Sequence, residues 1–194
     1  GASALLAISP GPDNIYVLTQ GMTNGAKAGL ATTAGLISGC IVHTTLIAFG
    51  ISAIISASPV LFLTIKICGA VYLLFLAFKV WKSSGSVVLN EGAPKKSYLG
   101  LFKQGVLMNI LNPKVTIFFL AFFPGFLWEP DGNTVYQFYI LGLLFMAQSF
   151  LIFGAIAVLA GRISYFLKKY RHSGVFLKWL QILVFVGIAV FILV

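Results

Sequence analysis

The sequence predicts an all-α polytopic membrane protein of about six transmembrane helices, and three observations carry that prediction. Hydrophobic residues make up 59% of the 194 and charged residues 9%, whereas soluble domains run at about 45–50% apolar and about 25% charged. Mean hydropathy is +1.01. Stretches such as Val60–Leu76 and Val135–Ala160 are apolar around nearly the whole helical circumference, where a soluble helix has a single apolar stripe. The natural surroundings of such helices are a lipid bilayer.

Crossing the hydrocarbon core takes about 20 residues of helix, and the apolar runs divide accordingly. Gly1–Met22 is interrupted at Pro10-Gly11-Pro12; Gly29–Ile55 is rich in Gly, Ala and Thr; Pro59–Trp81 opens on a proline, where a missing N–H costs least. Gln104–Leu127 is broken near Asn112-Pro113 and closed by the turn Glu129-Pro130-Asp131-Gly132-Asn133. Val135–Ala160 and Val175–Val194 complete the set, separated by the basic connector Arg162–Ser173. The nine residues before Pro10 have no basic flank and make a poor signal peptide; they read as part of a first helix that begins upstream. The expected organisation is one domain over 1–194, with three-span halves at about 1–82 and 100–194 and a polar connector at 83–99 that carries Gly85, Gly92, Pro94 and Lys95-Lys96.

The net charge of +9 could suggest nucleic acid, but the basic residues fall in the short gaps between apolar runs. Lys27, Lys82, Lys95, Lys96, Lys103, Arg162, Lys168, Lys169 and Arg171 crowd the connectors after the first, third and fifth spans, and the connectors around Ser58 and Asp131 have no Lys or Arg. The positive-inside rule puts the basic connectors in the cytoplasm and both chain ends outside it. Trp81, Trp128, Trp179, Tyr136 and Tyr170 fall near span ends, as interfacial anchors do. Gly21-x-x-x-Gly25, Gly25-x-x-x-Gly29 and Gly35-x-x-x-Gly39 place small residues on one face, so the second span is expected to be buried and closely packed.

Asp13 is the one acidic residue inside an expected span, and a carboxylate there costs roughly 2.5–3.5 kcal/mol on insertion scales. It follows Pro10-Gly11-Pro12, where two prolines remove N–H donors and clash with a continuing helix. The same design recurs at Asn109-Ile110-Leu111-Asn112-Pro113-Lys114, again in the first span of a half. Paired discontinuous helices at corresponding positions point to a transporter site at the midplane. Three spans per half is an odd number, so halves of a common fold would be inverted relative to each other.

The expected binding residues are Asp13 and Asn14 for a solute ammonium group, Asn112 and Lys114 on the second break for its carboxylate, and Asn109 beside them. Lys66, about seven residues into the third span, either neutralises Asp13 or snorkels to the headgroups. For Asp13 the structural alternative is a helix cap; for Lys114 it is snorkelling.

These residues carry a family resemblance. Ser9-Pro10-Gly11-Pro12-Asp13-Asn14, Lys66-x-x-Gly69-x-x-Tyr72-Leu73 and Phe102-x-Gln104-Gly105-x-x-x-Asn109-x-x-Asn112-Pro113-Lys114 resemble the LysE/RhtB family of amino-acid exporters. The resemblance runs along nearly the whole chain and implies export of an amino-acid-like solute by proton antiport across a bacterial inner membrane. Two departures stand out. The first span is shorter than is usual for the family, and Gln148 stands about where many members carry an acid, which would leave coupling to Asp13.

Other classes fare less well. No Walker-type phosphate loop and no hydrolase constellation is present, and no cofactor is implied. Cys40 and His43 lie one turn apart, but two ligands are too few for a zinc site, and Cys40 and Cys68 have no Cys-x-x-Cys spacing. A membrane thiol-redox conduit or a metal-ion transporter of related architecture is the alternative. Oligomeric state is left open, with a homo-oligomer compatible.

Overall fold

A computed structural model describes residues 2–84, 93–130, 132–170 and 173–194. Gly1, Gly85, Gly92, Asp131 and Arg171, named above, lie outside the described residues, as does the side chain of Lys168. The described residues are helical almost throughout. Helix α1 covers Ala2–Ile8 and α2 Pro12–Asn24. α3 spans Ala26–Leu46 and continues through a π-helical turn, Ile47–Ile51, into α4, Ser52–Ala57. α5 is Pro59–Lys82 and α6 Tyr98–Ile110. α7, Pro113–Ile117, runs on through a π-helical turn at Phe118–Phe122 and a 3-10 turn at Phe123–Phe126. α8 is Thr134–Val158, α9 Ala160–Lys169 and α10 Ser173–Leu193.

Local chemistry explains the boundaries. Ser58 accepts from Leu61 N–H at 3.2 Å and Pro59 takes the first helical position of α5, the arrangement that satisfies one free N–H and omits another. Asn133 caps α8 by accepting from Tyr136 N–H at 3.0 Å. Gly25, at φ 87°, turns the chain between α2 and α3 in a conformation that a Cβ would strain. Ser97 caps α6, accepting from Gly100 N–H at 3.1 Å, so this helix begins at Tyr98 and not at the expected Gln104. The connector expected at Arg162–Ser173 is largely helical: α9 packs on α2, with Ser164 buried.

Among the described residues four helical stretches are long and apolar enough to cross a membrane: Ala26–Ile54, Pro59–Lys82, Thr134–Val158 and Ser173–Leu193. Tyr98–Ile110 and Pro113–Phe126, bent by 51° at their break, make a fifth span if taken together. The first expected span is two short helices of 7 and 13 residues on either side of Ser9–Gly11. This is a helical polytopic membrane protein, as the composition predicts.

As the glycine spacing implies, α3 is the closely packed element, contacting α2, α6 and α8. A Cβ on Gly35 would fall on the Phe102 main chain, one on Gly39 would come within 2.7 Å of Asn109 Cβ, and one on Gly29 within 2.8 Å of Ala157 Cβ. Close backbone approach substitutes here for a hydrophobic drive that lipid does not supply. Beside it lies an aromatic cluster in which Phe145 packs against Phe118 and Phe119 at centroid distances of 5.5 and 5.2 Å, and Phe118 stacks on Phe122 at 4.5 Å.

Candidate functional site

The two breaks meet. Proline at the first helical position of both α2 and α7 forbids a continuous ladder, and Lys114 and Asn112 of the second break bond to main-chain and side-chain groups of the first. Asn112 accepts from Lys114 N–H at 3.0 Å, capping α7, while its amide nitrogen donates to Asp13 Oδ2 at 2.8 Å. Lys114 Nζ donates to the carbonyls of Ser9 at 3.0 Å and Leu6 at 3.3 Å, and lies 5.6 Å from the Phe185 ring centroid. Asn14 donates to Ala7 O at 2.7 Å. Two of the last carbonyls of α1 and that of Ser9 just beyond it are thus held by one ammonium and one amide, at the helix end where a cation is favourable.

Asp13 is held by Asn112 and makes no ion pair among the described residues. It is 6% exposed, and its Oδ1 is buried without a partner among the described residues. Asn109 is 4% exposed; its carbonyl accepts from His43 Nε2 at 3.1 Å, and its Oδ1 is likewise buried and unpaired. Lys114 does not reach for headgroups, since its nitrogen is bound inside the protein.

Asp13, Asn14, Asn109, Asn112 and Lys114 line one enclosed cavity of about 30 Å³, together with Gly11, Cys40, Phe145 and Ser149. Two larger recesses flank it. One, of about 620 Å³, is lined by Pro10, Pro12, Tyr72, Lys79, Lys178 and Gln181, and shares Gly11, Asn112 and Lys114 with the cavity. The other, of about 440 Å³, is lined by Phe122, Phe126, Leu141 and Gln148 and shares Phe145 with it.

The structure therefore brings five of the six expected binding residues together and leaves Lys66 apart. Lys66 sits half-buried on α5, lines none of these spaces, and has no hydrogen bond or ion pair among the described residues. Asp13 is neutralised by no contact from it. Sequence reasoning missed Ser149 and Phe145; a serine in the middle of the apolar run Leu143–Phe153 was the available signal. Gln148 accepts from Ser3 Oγ at 3.3 Å and lines the recess of about 440 Å³, not the cavity that Asp13 lines. Cys40 is buried and Cys68 exposed, both free thiols, and no group of three or more His, Cys, Asp or Glu assembles among the described residues.

A helical membrane protein whose two helix breaks interlock through buried polar side chains has the architecture of a secondary translocator. Comparison with known sequences makes the assignment particular. The profile of the LysE type translocators matches residues 4–194, and the chain belongs to that family. Among its relatives, a homoserine/homoserine lactone efflux protein of Salmonella typhi is 32% identical over 166 residues, 86% of this chain and 80% of that protein. A membrane protein of Bacillus subtilis, YrhP, is 30% identical over 185 residues, 91% of this chain and 88% of that one. A leucine efflux protein of an Enterobacter species is 33% identical over 160 residues, covering 76% and 73% respectively. No solved structure matches the chain.

Proposed function

We propose that this chain exports small amino-acid-like solutes, homoserine and leucine among the candidates, by proton antiport across a bacterial inner membrane, with both chain ends on the periplasmic side. The observation that carries the proposal is the hydrogen bond from Asn112 to Asp13, which ties one helix break to the other across a closed cavity. Asp13 receives the ammonium group of the solute and, by turns, the driving proton. Lys114 stands on the partition between the cavity and the larger recess, and on leaving the α1 carbonyls it meets the solute carboxylate.

A cavity of about 30 Å³ holds one or two waters, so the solute enters only when the breaks separate. The recess lined by Lys79, Ser83 and Lys178 lies toward the basic connectors and serves as the cytoplasmic vestibule. The Phe145 side faces the opposite recess and closes the route outward. Helix packing supports two inverted halves. α3 packs on α8 and α5 on α10, pairs that a two-fold axis in the membrane plane maps onto themselves, while the same axis, matching the breaks and so α1 with α6, exchanges α3·α6 with α1·α8.

The deciding experiment is efflux from vesicles reconstituted with the full chain, using a panel of labelled amino acids with and without an imposed pH difference. Acceleration of at least one α-amino acid by inward-directed protons is expected. Leakage no faster than from empty vesicles for every solute would sink the reading.

A further inference from the structure

Six side-chain atoms are buried without a partner among the described residues: Ser9 Oγ, Asp13 Oδ1, Thr44 Oγ1, Asn109 Oδ1, Gln148 Nε2 and Ser149 Oγ. Three of them, Asp13 Oδ1, Asn109 Oδ1 and Ser149 Oγ, belong to residues that line the same small cavity. Each comes from a different helix: α2, α6 and α8. Burying a polar atom without a partner is unfavourable, and three such atoms on residues that line one space form an incomplete set.

Ser149 makes the point most sharply. Thr32, Thr33 and Ser38, also on a membrane helix, donate to the carbonyls of Ala28, Gly29 and Ala34, four residues back, at 2.8–3.0 Å. That bond is open to any helical serine, yet Ser149, fully buried, does not make it. Asn14, which also lines the cavity, has its amide nitrogen fastened to Ala7 O.

We infer that Asp13, Asn109 and Ser149 form a three-oxygen socket for the primary ammonium group of the exported solute, and that the socket makes the chain reject N-methylated amino compounds. The inference rests on the amino-acid export reading and names the chemistry that reading leaves open. A primary ammonium has three N–H donors, one for each orphaned oxygen, and its charge meets the single carboxylate. At about 30 Å³ the cavity is too small for the whole solute, so the three oxygens receive the ammonium group once the breaks part. Hard metal cations take six or more oxygen ligands, and three suit them poorly. Each N-methyl group removes one donor, leaves one oxygen unpaired again, and adds volume to a space walled by Ile37, Val115 and Phe153.

The test uses the full chain in vesicles. The twenty common L-amino acids and L-homoserine are screened first, and the best carried is then compared with its N-methyl and N,N-dimethyl derivatives. Wild type should carry the dimethyl derivative at least about tenfold more slowly than the parent, the discrimination expected when a site built for hydrogen bonding loses a donor. Ser149→Ala should raise KM for the parent with little change in kcat and shrink the discrimination, while Ser149→Thr, which keeps the hydroxyl, should restore both. Equal transport of parent and dimethyl derivative by wild type overturns the socket and leaves export standing. Transport of none of the panel overturns the export reading, and the socket with it. Acceleration by a sodium gradient that Ser149→Ala abolishes would assign the three oxygens to an inorganic coupling ion, and that too overturns the proposal.

Discussion

Asn112 donates to Asp13 across 99 positions of sequence, at 2.8 Å, while the same side chain caps α7 through Lys114 N–H. The two roles separate in one substitution. Asp caps a helix about as well as Asn, so Asn112→Asp should keep α7 folded, but it removes the donor and sets a second carboxylate against Asp13. Export should fall by more than about tenfold while thermal stability in detergent changes little, since like charges brought together disfavour each other. Loss of stability in step with loss of export would make the residue a cap and nothing more.

Lys114→Met preserves the length and apolar stem of the side chain and removes the charge that holds Leu6 O and Ser9 O. The variant should insert and yet lose transport, measured as uptake into inverted vesicles, because no cation remains on the partition to meet a carboxylate. Uptake near the wild-type rate would take Lys114 out of the site.

Helix α3 depends on glycine where it meets α6. A Cβ on Gly35 would fall on the Phe102 main chain, which cannot rotate aside, whereas Gly187 has nothing within 4 Å of the equivalent position. Gly35→Ala is therefore expected to destabilise by about 1–3 kcal/mol or more through overpacking. Gly187→Ala should be neutral or slightly stabilising, because alanine is the better helix former. Thermal denaturation of the two variants in detergent compares them directly, and equal melting points would show that the α3·α6 contact is looser than described.

Orientation is tested at Lys95, exposed in the stretch before α6. In a background without Cys40 and Cys68, a cysteine at this position should react with an impermeant maleimide from the cytoplasmic side alone, as the positive-inside rule requires. Reaction from the outside in intact cells would invert the topology.

Both breaks were legible because proline acts locally: Pro10, Pro12 and Pro113 remove N–H groups whatever the surroundings. Glycine spacing likewise announced the packing of α3. The start of α6 was misplaced because Lys103 lowers the hydropathy of its second turn, although Ser97 carried a readable cap signal. The position of Lys66 was illegible for a different reason. Which way a residue on α5 points depends on the rotation of that helix against α10 and the α7 segment, and no pattern in an almost wholly apolar helix fixes it. Ser149 needed three dimensions too, since an unpaired hydroxyl is defined by what its neighbours fail to offer.

The last prediction concerns Asp13, whose two oxygens have different circumstances: Oδ2 accepts from Asn112, and Oδ1 is buried with no partner. In antiport, proton and ammonium compete for one carboxylate, so each must leave before the other binds. Asp13→Asn keeps an acceptor oxygen and the size of the side chain but can neither take up a proton nor balance an ammonium charge. Proton-driven accumulation should vanish, with solute exchange at equal concentrations surviving at a reduced rate through the amide oxygen. A helix-capping role predicts otherwise, because Asn serves at helix starts as well as Asp. The discriminating measurement is net transport against a solute gradient under an imposed pH difference, with counterflow on the same vesicles as the control for folding. If the Asn variant performs counterflow and also concentrates solute when the pH difference is applied, Asp13 is a structural residue and the coupling proton rides elsewhere.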